Sequence, residues 1–385
     1  MPADFFTLLS LRGVRLDSKT GMIFNIRNNM KINLSAPING LGYGRASLEI
    51  LNSLCKAGHS VSLFPINERI EPNLITEAVK KSLDNAEFFD YNAPSVRIWH
   101  QNSLAPSFGT GPRIGFPIFE LDRFTPVELH HLKSCDYLFV CSKWAREICI
   151  TQGLDGDKVF VVPLGVDTNL FSYVEPAHKD CRFFNIGKWE IRKGHDILLE
   201  AFKEEFKNDS NVTLFMCCSN PFLNDSERSV WESKAKHPKI RLVPRLPEHS
   251  DVAKLIKSCD CGVFPARAEG WNLEALETLA CGRTLITTDY SAHTEFCNGG
   301  NSYLIPTYGT ESAIDKKWFH GQGNWAKLDS QSYNTLRGHM RLMYERKMDG
   351  CSITGKEIFN SVSHFTWDNT AQTMIGHLNG IIESK

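Results

Sequence analysis

Glu269-Gly-Trp-Asn-Leu-Glu-Ala-Leu-Glu277 follows directly on the apolar run Cys261-Gly-Val-Phe-Pro265. Together they read as a strand, a loop and a helix in immediate succession, the unit of a parallel α/β sheet. Leu273, Leu276, Leu279 and Ala280 fall on one helical face, so the helix packs through that face while its N-terminus stays open. An open terminus offers unpaired N–H groups and the positive end of the helix dipole, which favour a phosphate. Gly270 lets the backbone approach a ligand closely, and the carboxylates of Glu269 and Glu277 accept hydrogen bonds from sugar hydroxyls. Phosphate and hydroxyls together describe a nucleotide sugar. The same spacing also fits an ordinary helix with two surface glutamates, so the surrounding chain has to decide.

The alternation extends in both directions. From Met30, short apolar runs at Ile32–Ala36, Val61–Pro65, Val96–Trp99, Arg113–Pro117, Tyr137–Cys141 and Val159–Pro163 read as strands, with helices at Ala46–Lys56 and Trp144–Thr151. The pattern restarts with strands at Phe183–Ile186, Val212–Met216, Ile240–Val243, Cys261–Phe264, Leu285–Thr288 and Tyr303–Ile305, and helices at Asp196–Phe206 and Val252–Lys257. Helices are also expected over 331–349 and 366–383. Such alternation predicts an α/β chain with two Rossmann-like, doubly wound sheets. Pro163-Leu-Gly-Val-Asp-Thr-Asn-Leu-Phe171 has no period of either kind, which places a linker at about 164–178. The expected organisation is an extension over 1–29, an N-terminal domain over 30–170, a C-terminal domain over 171–363, and a last helical segment over 364–385. Within the extension, Asp17-Ser-Lys-Thr-Gly21 reads as a turn. The segment is expected to be an appendage, or the product of an upstream start codon.

At 385 residues two domains are natural. A formal net charge of -1 gives no overall electrostatic case for a nucleic-acid partner or an anionic membrane. No apolar run reaches a membrane span, and the start of the chain lacks the pattern of a signal peptide. The 12 cysteines include no C-x-x-C pair and several lie in apolar runs, so a reducing, cytoplasmic compartment is expected.

Two further segments carry chemistry. Gly187-Lys-Trp-Glu-Ile-Arg-Lys-Gly194 lies between a strand and a helix, and brings Lys188, Arg192 and Lys193 to the strand's exit, where they suit a diphosphate. Asn39-Gly-Leu-Gly-Tyr-Gly44 follows the first strand of the N-terminal domain and opens its first helix, so that Gly42 and its neighbours turn backbone N–H groups toward an anion. A dinucleotide would compete for such a loop, but Phe64-Pro-Ile-Asn67 ends the second strand without the acidic residue that holds a ribose. His100, in Trp99-His100-Gln101, ends a strand on the same side, and Glu120 in Phe116-Pro-Ile-Phe-Glu120 is a further candidate. Asp155-Gly-Asp157 has the D-x-D spacing of a metal site but sits between Gly153 and a strand, which is turn chemistry. No metal site is expected.

The Glu269–Glu277 stretch, continued by Ala280-Cys281-Gly282 and Leu285-Ile286-Thr287-Thr288-Asp289, resembles the E-x7-E signature of retaining family-4 glycosyltransferases (glycosyl transferases group 1). The resemblance covers most of the chain from about Met30. It implies a GT-B architecture, with a substrate cleft between the domains and a last helix that crosses back to the first domain, and a hexosyltransferase that uses a UDP-, GDP- or ADP-linked sugar without metal. It assigns Glu277 to the ribose hydroxyls, Glu269 to the donor sugar, Lys188 and Lys193 to the diphosphate, and His100 to the donor sugar or the attacking hydroxyl. Gly270, Trp271, Asn272 and Leu273 fall on the donor side, with Arg192 and Gly42. Asn272 replaces the family's usual glycine and offers a side-chain contact to the sugar; Glu274 stands where proline is frequent. The acceptor is not legible. Two alternatives stand beside this reading: a nucleotide-sugar epimerase of the same fold, or, from a different class, a non-catalytic nucleotide-sugar-binding subunit.

Overall fold

The computed structural model describes residues 29–66 and 70–384, with the backbone of 14–16 and 23–25. β1 (Val14–Leu16) and β2 (Ile23–Asn25) pair antiparallel. The turn expected at Asp17–Gly21 lies outside the described residues, as does Asn67.

The first large sheet contains β3 (Lys31–Ala36), β4 (Ser60–Pro65), β5 (Ser95–Ile98), β6 (Arg113–Phe116), β7 (Tyr137–Val140) and β8 (Val159–Val161). Its order is β4-β3-β5-β6-β7-β8, and every pairing is parallel. α1 (Gly42–Lys56), α2 (Glu77–Asn85), α3 (Pro126–Lys133) and α4 (Lys143–Thr151) connect these strands. The second sheet contains β9 (Cys181–Gly187), β10 (Val212–Cys218), β11 (Ile240–Leu242), β12 (Cys261–Phe264), β13 (Thr284–Thr288) and β14 (Ser302–Ile305), in the order β11-β10-β9-β12-β13-β14 and again parallel throughout. α5 (His195–Glu205), α6 (Asp225–Ala235), α7 (His249–Lys257) and α8 (Leu273–Ala280) belong to this half.

In both sheets the strand order reverses beside the first strand. In the first sheet the reversal falls between β3 and β5, in the second between β9 and β12. Chains leaving the carboxyl ends of two such strands diverge to opposite faces and leave a crevice, where ligands of doubly wound sheets bind. The loops at these four strand ends are 37–41, 99–112, 188–194 and 265–272, so topology alone brings the sequence motifs to two crevices.

After β14 come a hairpin of β15 (Thr310–Ile314) and β16 (His320–Ala326), then α9 (Ser330–Met348), α10 (Lys356–Val362) and α11 (Trp367–Glu383). α11 returns to the first half. Val166 N donates to Phe365 O at 2.9 Å, Thr370 Oγ1 donates to Pro163 O at 2.8 Å, and Lys56 of α1 pairs with Asp368 at 2.6 Å. Trp367, Met374 and Leu378 join the same apolar core as Ile32, Leu51 and Phe139 of the first half and Trp271, Leu276 and Phe296 of the second. No described helix is long and apolar enough to cross a membrane.

α2, α3, α6, α10 and the β15–β16 hairpin lie outside the elements expected from apolar periodicity. α3 and α6 have little apolar periodicity, but each starts with a capping box, Thr125/Glu128 and Asn224/Glu227. That signature was available in the sequence. The hairpin was not. His320-Gly-Gln-Gly-Asn-Trp-Ala326 has no strand-like alternation, and β16 is held by Trp325 packing on Leu121, Ala268 and Ala313, and by Asn324, whose N and Nδ2 donate to Asp122 at 2.8 and 3.1 Å.

Candidate functional site

The two crevices face each other across a cleft of about 390 Å³. His100, Lys188, Arg192, Lys193, Glu269, Glu277, Gly42, Gly270, Trp271, Asn272 and Leu273 all line it, together with Glu120. The volume lies within the range of about 300–1,000 Å³ usual for small-molecule sites.

The β9 loop is built around buried polar groups. His195 Nε2 meets Asn185 Oδ1 at 2.9 Å, and its Nδ1 accepts from Glu190 N at 3.3 Å. Burial pushes the pKa of His195 down to about 3, so it is a neutral strut. Gly194 has a left-handed φ of 71°. A Cβ there would sit 2.0 Å from Pro265 O, which shows how tightly this loop is pressed against the β12 loop. The two loops are also joined by Arg267 N donating to Arg192 O at 2.7 Å and by the Arg267–Asp196 ion pair at 2.9 Å.

Charge is concentrated where the loops meet. Lys193 Nζ and Arg192 Nη1 each lie 2.8 Å from one oxygen of Glu269. Burial opposes ionisation of Glu269, but the Arg192 and Lys193 charges outweigh it and hold the carboxyl well below its usual range. Arg192 also reaches Glu190 at 2.8 Å and Glu120 at 3.9 Å, and donates to Ala268 O at 2.7 Å. Arg192, expected at a diphosphate, lines the cleft at 4% exposure and braces three carboxylates and two loops. Lys188 keeps more exposure, and is held by Glu190 at 3.0 Å. Glu190 is a buried carboxylate that the sequence analysis passes over although it stands inside the motif. On the opposite wall, burial raises the pKa of Glu120, with Glu269 and Glu190 adding to the effect against Arg192.

Asn272 accounts for its own position. Its φ of 79° is left-handed, the conformation that favours glycine and that asparagine tolerates best among other residues. Its Oδ1 accepts from Ala275 N at 3.2 Å and its Nδ2 meets His293 Nε2 at 2.9 Å. Both polar atoms of the Asn272 side chain are thus engaged within the protein, and the N-terminus of α8 is partly closed by its own side chain. Burial pushes the pKa of His293 down to about 4, leaving a neutral ring to accept from Asn272. Gly270 lines the cleft too, and a Cβ there would lie 2.6 Å from Ile118 Cγ2 and 3.0 Å from Phe119 O. The close approach is to the first half of the chain. Trp271 is 2% exposed and packs on Phe296 and Phe365 with ring centroids 5.1 and 5.9 Å apart.

On the N-terminal wall, Gly42 faces open space, with nothing within 4 Å of an added Cβ. Leu41 makes no side-chain cap, so α1 starts at the cleft without one. Tyr43 OH donates to Ile118 O at 2.6 Å, and its ring lies 4.7 Å from that of His100. Partial enclosure, then the nearby Lys188 charge, pulls the pKa of His100 below its ordinary value. Glu277 is 4% exposed and pairs with His249, a residue for which the sequence carried no signal. Asp155-Gly-Asp157 forms a turn in which Asp155 Oδ1 accepts from Asp157 N at 3.0 Å. Among the described residues no group of three or more His, Cys, Asp or Glu could hold a metal ion. A second cavity of about 400 Å³ opens at the amino ends of β9 and β12, but its buried Asp260 is already occupied by Arg182 N, Lys347 and His178.

The family described as Glycosyl transferases group 1 matches residues 180–316, the span that holds the β9 and β12 loops. A putative glycosyltransferase 45 of Sulfolobus islandicus filamentous virus is 23% identical over 286 residues, 72% of this chain and 74% of that protein. A probable sucrose-phosphate synthase of Thermosipho melanesiensis is 26% identical over 192 residues, 47% of this chain and 43% of that protein. Among solved structures, sucrose-phosphate synthase from Thermosynechococcus elongatus superposes with a TM-score of 0.67 at 15% identity, covering 92% of this chain and all (100%) of that one. Anabaena HepE in complex with UDP and glucose gives 0.65 at 13% identity, covering 91% and 99%.

Proposed function

The chain being a group 1 glycosyltransferase built on the GT-B fold, we propose that it transfers a hexose from a nucleoside diphosphate sugar to an acceptor hydroxyl with retention of configuration and without metal. The observation that supports this most is the convergence of Lys188 and Lys193 from the β9 loop, Glu269 from the β12 loop and Glu277 from α8 on one wall of the cleft, opposite His100. HepE has been solved with UDP and with UDP-glucose, which makes UDP-glucose the first donor to try.

In the reaction, the bond from the anomeric carbon to the diphosphate breaks and the bond to the acceptor oxygen forms on the same face. The acceptor's proton passes to the departing diphosphate. Lys188 and Lys193 meet the charge that grows on that group, and a preformed cationic wall needs no reorganisation as it grows. Glu269 is held ionised beside the sugar, where a fixed negative charge favours the positive character of the anomeric carbon in the transition state. Glu277 accepts from the ribose. His100, with its pKa lowered, is neutral at pH 7 and able to accept from the attacking hydroxyl.

Binding of UDP-glucose, GDP-mannose and ADP-glucose by calorimetry, followed by NMR of slow hydrolysis without acceptor, tests the reading. α-Hexose as the first product supports retention. β-Hexose as the first product overturns it, and absence of binding by all three removes the donor assignment.

A further inference from the structure

Resting on the donor-site reading above, we infer that His249 is a positioning residue for the nucleotide: it fixes Glu277 in the orientation that meets the ribose and supplies a positive charge to that wall, so that donor affinity depends on its protonation. His249 is the first residue of α7, whereas Glu277 belongs to α8. Their side chains meet at 2.7 Å, His249 Nε2 to Glu277 Oε1, and both line the cleft. Glu277 Oε2 carries no hydrogen bond among the described residues, which leaves it for a ligand hydroxyl. The imidazole plane is set by Phe171, whose ring lies edge-on at 4.8 Å.

A cation at the first position of a helix faces the positive end of the dipole and is disfavoured there. Burial works in the same direction. Glu277 outweighs both, and the pKa of His249 lies above its ordinary value. From α1, Arg45 and Glu49 also face the imidazole; they pair with each other at 3.3 Å and offset one another. Glu248 precedes α7 as its N-cap residue, Asp251 in its first turn pairs with Lys254 at 2.8 Å, and Arg245 and Glu274 line the same cleft.

The sign follows from these charges. Below its raised pKa, His249 is an imidazolium that donates to Glu277 and neutralises it. Above that pKa the ring can still donate through Nε2–H, so orientation survives, but the positive charge is gone. Glu277 is then uncompensated on the wall that receives an anionic diphosphate, and donor affinity falls.

Orientation and charge are separated by two variants. H249Q keeps a donor near the Nε2 position without a charge; H249A keeps neither. The probes are UDP-glucose, GDP-mannose and ADP-glucose, whose diphosphate diesters do not change charge between about pH 6 and pH 8.5. For whichever binds, the native chain is expected to lose about fivefold in affinity across that range. H249Q is expected to start near the native high-pH level and to lack the slope that His249 contributes, and H249A to bind more weakly than H249Q throughout. Any slope contributed by His100 remains in H249Q and is read off from it. An H249Q profile as steep as the native one, or an H249A affinity equal to native at about pH 6, overturns the inference. Failure of the native chain to bind any of the three instead overturns the donor reading, and that outcome is seen without any variant.

Discussion

Lys193 Nζ lies 2.8 Å from Glu269 Oε1 across a sequence separation of 76 residues, with both side chains almost fully buried. The pair closes the β9 loop onto the β12 loop, and Arg192 holds the other carboxylate oxygen at 2.8 Å. The wall is therefore charged and rigid before any ligand arrives, which is the arrangement that stabilises a transition state without reorganisation.

Replacing Glu269 by Gln leaves Arg192 and Lys193 buried against a neutral amide. Breaking a buried pair from one side costs roughly 3–5 kcal/mol, so E269Q loses stability as well as turnover. The carboxyl is held below its usual range when folded. Its contribution is thus complete above the unfolded value of about 4.3 and is lost as pH falls below that toward the folded value. Urea denaturation at about pH 7 and pH 4 checks this: the gap between native and E269Q narrows at the lower pH. Equal stability at the higher pH would show that the pair does not hold the loops.

Glu277→Gln keeps size and one acceptor but removes the charge. Nucleotide-sugar affinity is expected to fall by roughly 1–3 kcal/mol, the range for hydrogen bonds to a charged group. Calorimetry with UDP-glucose or the donor that binds in its place measures it, and an unchanged Kd removes Glu277 from the donor site.

At Asn272 two opposing effects can be separated. Asn272→Gly keeps the left-handed φ without strain and loses the cap, a net change of a few tenths of a kcal/mol. Asn272→Ala loses the cap and also strains the backbone, about 2 kcal/mol together. Thermal melts of the two variants side by side are the measurement. Alanine as stable as glycine contradicts the observed φ of 79°.

Donor binding is expected to survive a chelator, because Lys188 and Lys193 supply the positive charge next to the expected diphosphate position. Calorimetry with and without EDTA checks it. Loss of binding and turnover together would reassign that charge to a metal.

The motifs were legible because they are local. A strand's apolar run, a glycine near its exit and a helix's apolar face follow one another directly around Gly187–Gly194 and around Glu269–Glu277. The capping boxes of α3 and α6 were equally local, and a search for polar starts as well as apolar faces finds them. Asn272 was legible in a different sense: an asparagine where glycine is usual is explained by a single backbone angle.

Sequence by itself determined the two doubly wound sheets, the loops that bear charge and the carboxylates worth testing, because periodicity and turn chemistry act between near neighbours. Only the tertiary structure decided what each charge faces. Arg192 turned inward onto Glu120, Glu190 and Glu269, Gly270 met Phe119 and Ile118, and Glu277 met His249, a residue with no local signature. Each of these depends on strand order, which sets the loops side by side at the two reversal points, and on burial, which makes a misplaced charge too costly to leave unpaired.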